Sequence, residues 1–209
     1  MNALTPDRWV HIWRQVTAKG DPFRTYQELV SLYSQPHRHY HNLRHIAECL
    51  AEFDSAAHLA QESVAVELAI WFHDAMYDTH APDNEERSAE LAQQRIAECG
   101  GDADLCRSVV ALVLATKAHD PSVHPDAPLF VDIDLSILGQ AEERFQEYET
   151  QIRREYEWVA ERLFEVRRAE ILEGFLLRRR IYTTEHFLRK YEKQARENLK
   201  VSIRRLRQS

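Results

Sequence analysis

A chain of 209 residues with 44% hydrophobic and 29% charged side chains is ordinary for a folded protein and long enough for one well-filled core. Its 34 acidic against 27 basic side chains leave a formal charge of −7, which argues against a surface built to grip a nucleic-acid polymer. Five glycines, seven prolines and no Val/Ile/Thr-rich runs bounded by turns predict an all-α fold.

The N-terminal twenty residues carry Asp, Arg, His and two Trp, unlike a signal peptide. No apolar run reaches the length of a bilayer, so no membrane association is expected. Cys49, Cys99 and Cys106 form no CxxC and read as packing thiols of a reducing compartment, which places the protein in the cytoplasm. One domain, residues 1–209, is expected, with a core at about 37–139 and a helical remainder at about 140–209.

Thr5-Pro-Asp opens the first predicted helix, with Trp9, Ile12, Trp13 and Val16 on one face; Gly20-Asp-Pro ends it and starts a second that runs to about Gln35. Pro36-His-Arg-His-Tyr-His-Asn42 is a break dense in ring nitrogens, and a third helix follows to about Leu59. Residues 63–77 form a central, mostly apolar helix. A polar loop leads to a helix from Asn84, stopped by Gly100-Gly101, and another spans about 104–117. After a stretch with three prolines, residues 129–138 return to apolar character. Charged amphipathic helices close the chain at about 142–156, 161–178 and from 184 onward; Gly174 in the second of them marks a kink or close packing.

Three apolar segments carry polar residues that their surroundings do not explain: His45, His73-Asp74, and Asp132 with Asp134. A carboxylate in an apolar helix needs a base, a proton or a metal, and imidazole beside carboxylate is the donor set of a borderline divalent ion. In an unbroken helix His73 and Asp74 project ~100° apart, so they flank one ion only where the helix passes close beside it.

The ordered series His, His-Asp, Asp resembles the HD superfamily of metal-dependent phosphohydrolases. Tyr40-His-Asn-Leu-Arg-His-Ile46, Trp71-Phe-His-Asp-Ala-Met-Tyr-Asp78, Asn84-Glu-Glu-Arg-Ser-Ala89, Ala115-Thr-Lys-Ala-His119 and Asp132-Ile-Asp-Leu-Ser-Ile-Leu-Gly139 are similar to a bacterial branch of predicted HD phosphohydrolases. So are Gln151-Ile-Arg-Arg-Glu-Tyr156 and Ala195-Arg-Glu-Asn-Leu199, so the likeness spans nearly the whole chain. It implies a single HD-type helical domain and one divalent ion (Mn, Mg, Co, Ni, Fe or Zn) held by His45, His73, Asp74 and Asp134. His41 competes with His45 for the first position, and Asp132 with Asp134 for the last.

The implied activity is hydrolysis of a small phosphorylated metabolite or nucleotide by a metal-activated water, with Asp74 both ligating and orienting that water. His119 and Lys117 are candidates to meet the phosphoryl charge, though a helix C-terminus favours cations in any case. Glu85 is a candidate proton shuttle or partner of a ligand histidine, or simply a first-turn carboxylate. Arg153 and Tyr156 are weaker candidates for substrate contact. Two rival readings are an HD domain that binds a nucleotide or partner protein without turnover, and a di-iron HD-type oxygenase. The long C-terminal helices could also build a homodimer.

Overall fold

The computed structural model describes residues 4–16 and 20–208, which are all-α, with ten α-helices and no strand among the described residues. The expected run of the first helix on to Gly20 lies, over residues 17–19, outside the described residues. Two compact units divide the chain, Met1–Ile133 and Asp134–Ser209.

The first unit holds α1 (Pro6–Val16), α2 (Pro22–Tyr33), α3 (Leu43–Ala56), α4 (Ser63–Phe72), α5 (Asn84–Glu98), α6 (Ala103–Ala115) and most of α7 (Ala127–Asp134). α4 touches α1, α3, α5 and α6, which is why it is apolar on every side: Ala65, Val66 and the run 68–72 are wholly buried. Its one internal charge, Glu67, accepts a 2.8 Å bond from Arg8 Nε on α1, and Arg8 also reaches Asp54. Trp9 stacks on Trp13 at 4.9 Å, meets Trp71 edge-on at 5.2 Å, and donates its indole N–H to the Pro22 carbonyl.

Both ends of α4 are held from elsewhere in this unit. Ahead of it, the buried Asp126 carboxylate accepts from the backbone N–H groups of Gln61 and Glu62, at 2.8 and 2.7 Å. At the other end the chain leaves the helix after Phe72 rather than continuing through Tyr77 as the apolar pattern predicts. The buried guanidinium of Arg38 takes the next carbonyls: Nη1 donates to Asp74 at 2.6 Å and Nη2 to Ala75 at 2.7 Å. Those oxygens are thereby satisfied outside a helix, and the chain is free to turn.

The second unit contains a short 3-10 segment (Leu135–Gly139), α8 (Glu142–Glu155), α9 (Glu161–Leu177) and α10 (Glu185–Gln208). α10 packs on α9 and on the 3-10 segment. Asn198 of α10 donates to the carbonyls of Leu138 and Gln140, both at 2.9 Å. Gly139 lies so close to Tyr191 that an added Cβ would sit 2.5 Å from the tyrosine Cβ. Arg168 and Glu149 form a buried ion pair, and Ser202 donates to the second Glu149 oxygen at 2.6 Å. Gly174 proves to be neither a kink nor a close contact: it lies inside the continuous α9, and a Cβ there would meet nothing within 4 Å. No helix among the described residues is long and apolar enough to cross a membrane.

Candidate metal centre

Three donor atoms converge where α3 faces the end of α4. His45 lies on the buried face of α3, whose N-terminus is capped by Asn42 accepting from Arg44 N–H at 2.8 Å. His73 is the residue that closes α4, its N–H still bonded to the Ala69 carbonyl, and Asp74 follows in the turn. His45 Nε2 lies 3.1 Å from His73 Nε2; Asp74 Oδ2 lies 3.0 Å from His73 Nε2 and 3.5 Å from His45 Nε2. Both imidazoles are buried, and the Asp74 side chain is 19% exposed, so the carboxylate forms the open side.

These separations are informative because of a tautomer. His73 Nδ1 lies 3.0 Å from the Ile70 carbonyl oxygen, so it must donate there. In the neutral ring, Nε2 then carries a lone pair facing a carboxylate oxygen. Such an arrangement demands a cation, either a proton or a metal. Ligands about 2.0–2.2 Å from one ion at angles of 90–109° lie about 2.8–3.6 Å from each other. All three observed separations fall inside that interval, so His45, His73 and Asp74 are a group able to hold a metal ion. The bond from His73 to Ile70 is also the kind of outer contact that orients a ligating imidazole.

Without the ion, Asp74 is held well below the usual carboxylate range. Burial pushes its pKa up, but the charges of His73 and His41 and hydrogen bonds from His45 and His73 outweigh that effect. Tyr33, buried below, is pushed well above its ordinary value by burial and then by the Asp74 charge, and it donates to the Trp71 carbonyl at 3.1 Å.

The turn bearing Asp74 is pinned from two sides. Arg38 grips it from the histidine-rich segment, its guanidinium between the rings of Tyr33 and Tyr77, at 5.2 and 5.5 Å. From α5, Ser88 Oγ accepts from Met76 N–H at 3.0 Å, while Asn84 exchanges hydrogen bonds with the backbone of Asp78. The motif Asn84-Glu-Glu-Arg-Ser-Ala89 therefore acts through its asparagine and serine.

Of the other sequence candidates, His41 stands beside the cluster rather than in it: its ring stacks on Tyr77 at 4.2 Å, 6.1 Å from the His45 ring. Asp132 is wholly buried in α7. Asp134 is half-buried at the end of α7 and begins the second unit, where its charge bears on Tyr148. Lys117 is ion-paired with Glu86 on an exposed surface. Glu85, half-buried in the first turn of α5, adds its charge to the pull on Lys117. His119 follows α6 in a left-handed conformation with φ 47°. Arg153 caps the end of α8 by donating to the carbonyls of Tyr156 and Val159, so a helix terminus accounts for it.

Two neighbours of the centre escape the sequence reading. Cys49 Sγ lies 3.7 Å from His45 Nδ1, and the signal was present, since residues four apart share a helix face. Arg38 gave no local signal, because its carbonyl partners lie 36 and 37 residues away. No protein-family model, curated protein or solved structure matches this chain.

Proposed function

We propose that this chain is a metal-dependent phosphohydrolase of the HD type. One divalent ion would be held by His45, His73 and Asp74; the fourth ligand that the sequence resemblance implies, Asp134, belongs to the second unit. The substrate class is a small phosphorylated metabolite or nucleotide, since a chain of net charge −7 suits a small anion met at one cationic point better than a nucleic-acid polymer. The observation that carries the proposal is the convergence of three lone-pair atoms within 3.5 Å, with one imidazole already oriented by Ile70.

A bound divalent ion would supply an acidified water and positive charge at a phosphoryl oxygen. The remaining work falls to side chains. Asp74, on the open side of the cluster, is placed to accept a hydrogen bond from the attacking water and so aim it. His41, half-exposed and stacked on Tyr77, offers a donor to the phosphoryl oxygens. Lys117 and His119 could meet the same charge, but Lys117 must first leave Glu86. Glu85, half-buried in the first turn of α5, would carry a proton to or from the attacking water.

The test is a screen of phosphomonoesters and nucleotides with protein reloaded with Mn, Co, Ni or Mg, metal content being measured alongside. His73→Ala and Asp74→Ala are expected to lose bound metal and hydrolysis together. Full turnover of a phosphoester by either variant would refute the assignment.

A further inference from the structure

α5 and α6 end in the same backbone closure. At the end of α5, Gly100 N–H donates to the Ala97 carbonyl and Gly101 N–H to the Ile96 carbonyl, both at 2.9 Å. At the end of α6, His119 N–H donates to the Thr116 carbonyl at 3.3 Å and Asp120 N–H to the Ala115 carbonyl at 3.0 Å. Each pair of bonds is a Schellman motif, whose pivot residue takes a left-handed conformation and is usually glycine. The pivot of α5 is Gly100, with φ 73°. That of α6 is His119, with φ 47°, and among the described residues no other non-glycine residue has positive φ. A Cβ crowds the backbone in this region, so the second closure is less stable than the first for the sake of an imidazole.

The start of α5 joins this closure to the metal centre. Lys117, two residues before His119, donates to the Pro82 carbonyl and pairs with Glu86 in the first turn of α5. The same end of α5 holds the turn after His73, through Asn84 on Asp78 and Ser88 on Met76. α4, which ends at the centre, packs on both α5 and α6. His119, half-buried, therefore stands at the end of this unit where Asp74 forms the open side of the cluster.

Building on the metal-dependent phosphohydrolase reading, we propose that His119 contacts the substrate, a ring N–H donating to a phosphoryl oxygen, and that the left-handed pivot aims this donor. Imidazole suits the task, because it offers a donor whether neutral or protonated. A helix end that only needed closing would be served better by glycine, as α5 is. One that only needed a cation near its last carbonyls already has Lys117, on an ordinary right-handed backbone.

The test uses the full chain and three readouts: the Tm of the metal-free protein, its metal content after reloading with Mn, and calorimetric binding of inorganic phosphate to the loaded protein. His119→Gly is expected to raise Tm by about 2–4 °C, because the Cβ is gone from the left-handed position. The same variant is expected to keep the wild-type metal content and to bind phosphate about 10–100-fold more weakly, the loss of one hydrogen bond to a charged group. His119→Asn, whose shorter side chain tolerates the same conformation, is expected to hold the wild-type Tm and to weaken phosphate as glycine does. Phosphate bound by either variant as tightly as by wild type would leave His119 a helix-end residue and overturn its assignment alone. So would a His119→Gly protein that melts below wild type, since the side chain would then be kept for packing. A wild-type chain that takes up no metal, or binds no phosphate once loaded, defeats the hydrolase reading and this assignment with it.

Discussion

Removing the side chain of Arg38 is the sharpest perturbation of the turn that carries Asp74. The guanidinium is buried and donates to the Asp74 carbonyl at 2.6 Å, the Ala75 carbonyl at 2.7 Å, the His41 carbonyl at 3.3 Å and Gln35 Oε1 at 3.1 Å. A hydrogen bond from a charged donor contributes about 1.5–3 kcal/mol, so the two shortest alone amount to about 3–6 kcal/mol. Water entering the vacated space recovers part of that, which leaves an expected loss of about 3–4 kcal/mol for Arg38→Ala. For a chain of this size that is a fall in Tm of roughly 10 °C.

Arg38→Lys separates folding from positioning. An ammonium cannot span two adjacent carbonyls as the planar fork does, so the turn is expected to persist while Asp74 loses its aim. The expected signature is a smaller stability loss with metal binding weakened about 10–100-fold. Urea denaturation gives the first quantity and a metal titration followed by calorimetry the second. If Arg38→Ala loses less than about 1 kcal/mol, or Arg38→Lys binds metal as wild type does, the clamp does not hold the site.

Two glycines of the second unit should respond in opposite directions. Gly139→Ala forces a methyl against Tyr191 and is expected to cost about 1–3 kcal/mol, whereas Gly174→Ala, in open space inside α9, is expected to gain about 0.5–1 kcal/mol; denaturation at one fixed protein concentration measures both. The acid limb of stability has an identified contributor in Glu28. Hydrogen bonds from Arg95 outweigh burial and hold this carboxyl below its ordinary 4.5, so its stabilisation is complete above that pH and is lost as pH falls through the lower, folded value. Arg95→Leu is therefore expected to flatten the stability profile below pH 4.5. Wild-type steepness in that variant would assign the acid limb to other groups.

How much of this could be read from the sequence depends on how local the cause is. The run of apolar residues after Ser63 declared α4 as a buried helix, because a helix surrounded by four others has no polar face to show. His45, His73 and Asp74 stood out for the same reason: each is a polar group in an apolar context. The end of α4 was not legible. The residues after Phe72 suit a helix, and Arg38, reaching across from another segment, with Ser88 of α5, holds the chain in a turn there. That turn lets two consecutive residues face one point, which an unbroken helix does only where it passes close beside that point. Asp126, pinning the entry to α4 from more than sixty residues away, was hidden for the same physical reason. Gly174 was misread because a glycine within a helical pattern has the same local signature whether a neighbour presses on it or not.

The most direct test of the centre is the metal stoichiometry of the purified chain and of His73→Ala. After reloading with one divalent ion at a time and removal of excess, elemental analysis is expected to find about one ion per wild-type chain, and His73→Ala is expected to retain less than a tenth of it, since deleting one of a few protein ligands leaves the ion weakly held. Equal metal content in the two proteins, or none in the wild type with any ion tested, would contradict the assignment of His45, His73 and Asp74 as a metal site.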